Sequence, residues 1–174
     1  MKTEIVIAGL GGQGVILAGH ILGKAAAYDR KKVVQTQSYG AEARGSLAKS
    51  EVLLSDRKIG FPKVTACDIL VAMNQEALDK HLKDLRDDGI LIIDSTNVKH
   101  PEKKTKLFEI SATENAEKIL GTKIYANMFM LGALAKVTKV VSDNSIEKAI
   151  GDTIEKRAAQ SNLQAYRKGK ELVQ

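Results

Sequence analysis

A short, mainly apolar run, Glu4 to Ala8, enters the glycine segment Gly9-Leu10-Gly11-Gly12-Gln13-Gly14 and leaves it as Gln13 to Tyr28, a stretch dense in Ala and Gly. The run reads as a buried strand, and the longer segment as a helix whose small residues let it lie close to a sheet. A strand that becomes a helix through G-x-G-x-x-G points to α/β architecture. Glycines at this turn permit a tight reversal and close backbone approach to an anion, which the helix N-terminus also favours.

The rest of the chain keeps the alternation. Lys32 to Ser38 and Leu47 to Ser55 read as strands. The loop between them is shorter than the dozen residues a parallel crossover needs, so the two are expected to pair antiparallel and the sheet to be mixed. Asp68 to Met73 and Ile90 to Asp94 read as buried strands around a helix from Gln75 to Asp87, whose apolar positions Ala77, Leu78, Leu82 and Leu85 have helical spacing. Lys106 to Ile110 adds a strand, Ser111 with Glu114 forms a capping box, and the chain is helical from Ile124 onward with a new start at Ser142-Asp143.

At 174 residues this is expected to be one domain, 1–174. No apolar run reaches the roughly 18–20 residues that span a bilayer, and the N-terminus, with an acid before its apolar run, does not read as a signal peptide. Both readings point to the cytoplasm. The net charge of +6 gathers loosely at Lys99, Lys103, Lys104 and Lys106, and at Lys156, Arg157, Arg167, Lys168 and Lys170. Aromatics are only 4% and Trp is absent, so stacking platforms for nucleic acid are lacking and these clusters read as solvated faces. A single cysteine, Cys67, forms no internal disulfide and cannot supply the four thiolates of an iron–sulfur cluster.

The glycine loop leaves three readings open: a dinucleotide site, a turn used only for packing, or contact with another phosphate, backbone or subunit. The first also requires an acid about 20 residues on, to hold ribose hydroxyls, yet the second strand ends at Gln35-Thr36-Gln37 without one. The second loop, Gln35 to Ser46, concentrates amide, hydroxyl, carboxylate and guanidinium groups between apolar strands. Arg44 suits bidentate contact with a carboxylate or phosphate, and Glu42 suits orienting that guanidinium; an internal Glu42–Arg44 contact that merely stiffens the turn is the alternative.

GLGGQGV followed by TQSYGAEARGSLAKSEVLLSD resembles the gamma subunit of the 2-oxoacid:ferredoxin oxidoreductases. That family shows a GxGGQGV loop, then YGAEARGG and a strand ending in SEV. The resemblance continues through FPKVTACDILVAMNQEALDK, GILIIDST, NMFMLGALAKV and AYRKGKELV, and Ser46 departs from it where a second glycine is common. It implies a Rossmann-like three-layer α/β/α domain with a mixed, mainly parallel sheet. It also implies a role in decarboxylating a 2-oxoacid on thiamine diphosphate, with electrons leaving through 4Fe-4S clusters to ferredoxin and the acyl group passing to coenzyme A. Thiamine diphosphate and the clusters belong to partner subunits (alpha, beta and delta), and coenzyme A is a co-substrate. Gly9, Gly11, Gly12, Gln13, Gly14, Tyr39, Glu42 and Arg44 are then the residues facing the active site or a cofactor. None is implied as a catalytic acid, base, nucleophile or metal ligand. The continuous QTQSYGAEARG and FPKV…DILVAMNQEAL stretches are most like the 2-oxoglutarate type; the alternative is an independent NAD- or coenzyme A-binding protein.

Of the remaining residues, Cys67 reads as a buried small residue and His20 as a satisfied core histidine, while His81 and His100 lie in charged, exposed-looking surroundings. Ile124 to Val137 is apolar almost all round, as in a central buried helix or a subunit contact, with Asn127 satisfying the backbone of a nearby loop.

Overall fold

The computed structural model describes residues 1–41 and 45–174. Six strands form one sheet: β1 (Lys2–Leu10), β2 (Lys32–Tyr39), β3 (Leu47–Ser55), β4 (Cys67–Ala72), β5 (Leu85–Asp94) and β6 (Lys106–Ile110), in the spatial order β2-β3-β1-β4-β5-β6. β2 and β3 pair antiparallel, as the short loop between them requires, and β3 is antiparallel to β1 as well. The pairs β1–β4, β4–β5 and β5–β6 are parallel. The sheet is therefore mixed and mainly parallel, and the α/β expectation holds.

Helices cover both faces. On one, α1 (Val15–Tyr28), α4 (Ala126–Thr138), α5 (Asp143–Thr153) and α6 (Lys156–Glu171) enclose the larger core, which contains Ile5, Ile7, Val71, Ile92 and Phe129. On the other, α2 (Gln75–His81) packs Ala77 and Leu78 on Val6, Leu70 and Leu91, whereas α3 (Ala112–Leu120), which follows β6, adds Ala112 and Ala116 to the larger core. Helix α4 is buried from Ala126 to Ala135, which explains its apolar sequence all round: the sheet side lies on one flank and α6 covers another. Ser142 caps α5 by accepting from the Ser145 amide, and its own amide and hydroxyl are held by Asp29 at the end of α1.

Three local expectations are corrected. The helix read from Gln75 to Asp87 ends at His81; a 3-10 turn, Leu82–Asp84, follows, and β5 begins at Leu85, opposite Cys67. Tertiary pairing overrides the helical spacing here, because Arg86 bonds the Ala66 carbonyl (3.1 Å) and bridges Asp68 (3.0 Å). Ser111 makes no side-chain cap on α3. The first-turn amides of Ala112 and Thr113 go instead to Asp94, and that of Glu114 to the Thr96 hydroxyl. His20 is exposed on α1, whereas His81 is 7% exposed, with Nδ1 3.3 Å from Asp84.

Burial holds the His81 imidazole below its ordinary value of 6.5, with Asp84 opposing and Lys49 assisting. The native state therefore prefers the neutral ring, and the unfolded chain binds more protons as the pH falls through 6.5. Stability linked to His81 is complete above that pH and is lost progressively below it. Urea unfolding at pH 7.5 and pH 5.0 should show a smaller acid-side loss in His81→Gln than in the native sequence; equal losses would exclude His81 as a contributor. Cys67 is fully buried, and burial pushes its thiol up to about 12, so it is an inert core residue.

Candidate functional site

The glycine loop lies where α1 and α2 leave the carboxyl ends of the adjacent parallel strands β1 and β4 toward opposite faces. Crevices form at such points because the two connections diverge. Gly14 is the N-cap of α1 with φ 74°, and Gly12 has φ 94°, both in the left-handed region that favours glycine. A Cβ on Gly12 would meet nothing within 4 Å, so that residue is needed for its backbone angle and leaves open space above the loop. Gly9 has a packing reason: its Cβ would fall 2.6 Å from Gln13 Oε1 and 3.2 Å from Met73 Cβ. Gly11 donates to the Ser46 carbonyl at 2.7 Å, which ties the first loop to the start of β3.

Gln13 stitches the two strand ends together. Its Oε1 accepts from the Leu10 amide (2.7 Å) and its Nε2 donates to the Met73 carbonyl (3.1 Å). Asn127, on the buried helix α4, donates to the Gly14 carbonyl at 3.2 Å, as expected from sequence. The first intrahelical bond of α1 runs from the Ala18 amide to Gly14, and its first turn carries no acid. The amides of Val15, Ile16 and Leu17 are thus left for a partner outside the helix, at the positive end of its dipole.

Two clefts flank the loop. One, about 700 Å³, is the more polar of the two: Gln13, Asn74, Gln75, Asn97, Thr113 and Lys123 line it beside Gly11 and Gly12. The other, about 520 Å³, is mainly apolar, with Ile16, Leu17, Ile124, Tyr125 and Ile154 around Gly12, Gly14 and Tyr39. Ile124 and Tyr39 are 66% and 62% exposed, a high figure for side chains of this size. Gly9 lies beneath the loop at the end of β1. The structure thus brings Gly11, Gly12, Gln13, Gly14 and Tyr39 to one end of the sheet, and Glu42 and Arg44 lie outside the described residues.

Sequence reasoning missed the polar cleft's far wall. Asp94, fully buried at the end of β5, accepts from the Thr96, Ala112 and Thr113 amides, the Thr113 hydroxyl and Asn97 Nδ2, and so fixes two lining residues. The signal was there: an acid directly after the apolar strand in ILIID, and Asn74 directly after the strand ending at Met73. Asn74 caps α2 by accepting from the Ala77 amide at 2.9 Å. Among the described residues no group of three or more His, Cys, Asp or Glu has metal-binding geometry, and no helix is long and apolar enough to cross a membrane.

The dinucleotide reading loses ground on topology. The strand beside β1 on the side away from β4 is the antiparallel β3, and β2, whose end should carry the ribose acid, is one strand further out and ends in Tyr39. What remains is a Rossmann-like α/β domain whose glycine loop joins two clefts at a switch point of a mixed sheet. The chain belongs to the pyruvate ferredoxin/flavodoxin oxidoreductase family, whose model matches residues 4–172. It is 48% identical over 176 residues to the 2-oxoglutarate synthase subunit KorC of Methanocaldococcus jannaschii, covering 99% of this chain and 94% of that one. Its fold matches the keto/oxoacid ferredoxin oxidoreductase gamma subunit of Geobacter sulfurreducens with a TM-score of 0.86 at 41% identity, over 97% and 96% of the two chains. It also matches the pyruvate oxidoreductase subunit of Thermotoga maritima with a TM-score of 0.83 at 30% identity, over 99% and 97%. The resemblance carried by the two loops therefore extends through the whole sequence.

Proposed function

We propose that this chain is the gamma-type subunit of a 2-oxoglutarate:ferredoxin oxidoreductase, an enzyme complex that converts 2-oxoglutarate to succinyl-coenzyme A and reduces ferredoxin. The observation that carries this reading is 48% identity to a 2-oxoglutarate synthase subunit over nearly the full length, against 30% to a pyruvate oxidoreductase subunit. The chain acts as one domain in the cytoplasm and has no activity alone. Thiamine diphosphate and 4Fe-4S clusters reside on the alpha, beta and delta partners; one cysteine here does not fit a four-thiolate cluster.

The loop Gly9 to Gly14, with Tyr39, Glu42 and Arg44, faces the shared active site or the coenzyme A route. The free first-turn amides of α1 and the exposed Lys123 suit an anionic group, and the apolar cleft suits an uncharged arm of the same molecule. Open space above Gly12 permits backbone approach there.

Anaerobic affinity purification of the tagged chain should recover large partners with thiamine and iron–sulfur absorbance, and oxoacid-dependent ferredoxin reduction fastest with 2-oxoglutarate. A clean isolated chain that binds NAD in calorimetry would overturn the proposal. In the reconstituted complex, Gly12→Ala introduces strain of about 1–2 kcal/mol at a left-handed position and fills the open approach. Gly12→Ala and Arg44→Ala should each lower turnover about tenfold or more while the complex still assembles. Unchanged turnover in both would make the two loops structural only.

A further inference from the structure

The two edges of the sheet are built differently. Strand β6 is a short edge of five residues, carries Lys106 and Glu109, and has the C-terminal residues Leu172 and Val173 beside it. Short length, charge and a covering segment are the usual means by which a sheet edge avoids pairing with another chain. Strand β2 is longer, has its one charge, Lys32, at its start, and among the described residues no backbone pairs with its outer edge. It runs for eight residues in unbroken register with β3, and from Val33 to Tyr39 contains no charge and no proline.

The hydrogen-bond phase of this edge follows from one bond. The Gly40 amide donates to the Leu47 carbonyl (2.8 Å), one step beyond the Tyr39–Ala48 pair, so the even-numbered residues of β2 direct their backbone groups to β3. Val33, Gln35, Gln37 and Tyr39 direct theirs outward, and among the described residues none receives them.

We propose that β2 is a homotypic interface, at which a second copy of this chain adds its own β2 antiparallel across a two-fold axis and joins two six-stranded sheets into one. The sequence of the edge is self-complementary for this geometry. A two-fold axis at Thr36 places Val33 opposite the second copy's Tyr39, and Gln35 opposite its Gln37, each pair exchanging both backbone bonds. The β-branched–aromatic pairs are favourable, the Gln35 side chain keeps its bonds to Ser50 Oγ (3.0 Å) and the Ile16 carbonyl (3.4 Å), and no like charges meet between Val33 and Tyr39. Lys32 falls opposite Gly40, so the cation at the strand's start is also unopposed. The inference rests on the fold and does not depend on the proposed catalytic complex.

The geometry gives a direct test. Thr36 of the two copies would form a non-hydrogen-bonded pair with Cα atoms about 4.5 Å apart, within the range a disulfide spans. The native Cys67 is fully buried, so Thr36→Cys introduces the one accessible thiol. Mild oxidation of the purified Thr36→Cys chain should give a covalent dimer released by reductant, and light scattering of the native chain should give twice the chain mass. Gln37→Pro removes an outward amide without touching the bonds to β3, and should halve the mass while circular dichroism stays native. A native chain that stays monomeric at every concentration, or a dimer that survives Gln37→Pro, would overturn the proposal. Protection of the β2 amides from hydrogen exchange only on addition of the partner subunits would overturn it too, in favour of a partner's strand at this edge.

Discussion

Gly169→Ala is expected to lower the unfolding temperature sharply, and Gly132→Ala nearly as much. Helices α4 and α6 cross with backbone against backbone. A Cβ on Gly169 would sit 2.6 Å from both the carbonyl carbon and the Cα of Phe129, and one on Gly132 would sit 3.0 Å from the Lys170 amide and 3.1 Å from the Tyr166 carbonyl carbon. These atoms belong to helical backbone, so they cannot rotate aside as a side chain would. The helices must separate, which loosens fully buried Phe129 and Tyr166. Overpacking of this kind costs about 3 kcal/mol. For a chain of this length that corresponds to a fall of about 6–12 °C. Gly151→Ala, in α5, is the internal control: its Cβ meets nothing within 4 Å, and the change should stabilise by up to about 1 kcal/mol through helix propensity. Scanning calorimetry of the three variants decides the matter, and equal temperatures for Gly169→Ala and Gly151→Ala would refute a backbone-tight crossing.

The second large effect concerns Asp94. Its carboxylate gathers three backbone amides, one hydroxyl and one side-chain amide in a fully buried position, so Asp94→Ala would leave several donors unsatisfied at once. Each buried orphan costs about 1–3 kcal/mol, reduced where water enters, and a total loss of about 3 kcal/mol is expected. Asp94→Asn keeps the shape and one acceptor oxygen, and should lose roughly half as much. Asn97 and Thr113, which line the polar cleft, lose their anchor in both variants. If that cleft serves the complex, turnover of reconstituted enzyme carrying Asp94→Asn should fall at temperatures where the subunit is still fully folded. Urea titration separates the two effects from each other; full activity alongside lowered stability would show that Asp94 acts on folding only.

Much of the fold was legible because its signals are local. The run from Leu47 to Ser55 is a strand with the same bounds in the structure, and the β2–β3 pairing followed from loop length alone. A helix apolar on every side left a central buried helix or a subunit contact open, and the structure shows α4 buried within the chain. Where expectation failed, a distant partner had intervened. Leu85 keeps helical spacing with Leu78 and Leu82, but it lies in β5 because Arg86 bonds the β4 region. Ser111 stands at the right spacing for a cap, yet Asp94, well upstream, offers a charged acceptor to the same amides. His20 follows apolar residues and is nonetheless exposed, since it lies on the outward side of α1.

The candidate site divides the same way. The glycine positions were readable because positive φ and tight turns are properties of a residue and its neighbours. The polar cleft was not, because Asn74, Asn97, Thr113 and Lys123 come together only when β4, β5, α3 and the segment before α4 are assembled. By itself, then, the sequence determined an α/β chain, the strand–glycine loop–helix unit, a family likeness carried by two loops, and the lack of a four-cysteine set. The tertiary structure alone decided that β3 stands where a dinucleotide-binding strand would be, and that Gln13 is spent on joining two strand ends. It also decided that one edge of the sheet is short and charged, while among the described residues no backbone pairs with the outer side of the other. The physical reason is that backbone preferences act over a few residues, whereas clefts, strand order and sheet edges depend on contacts between segments many residues apart.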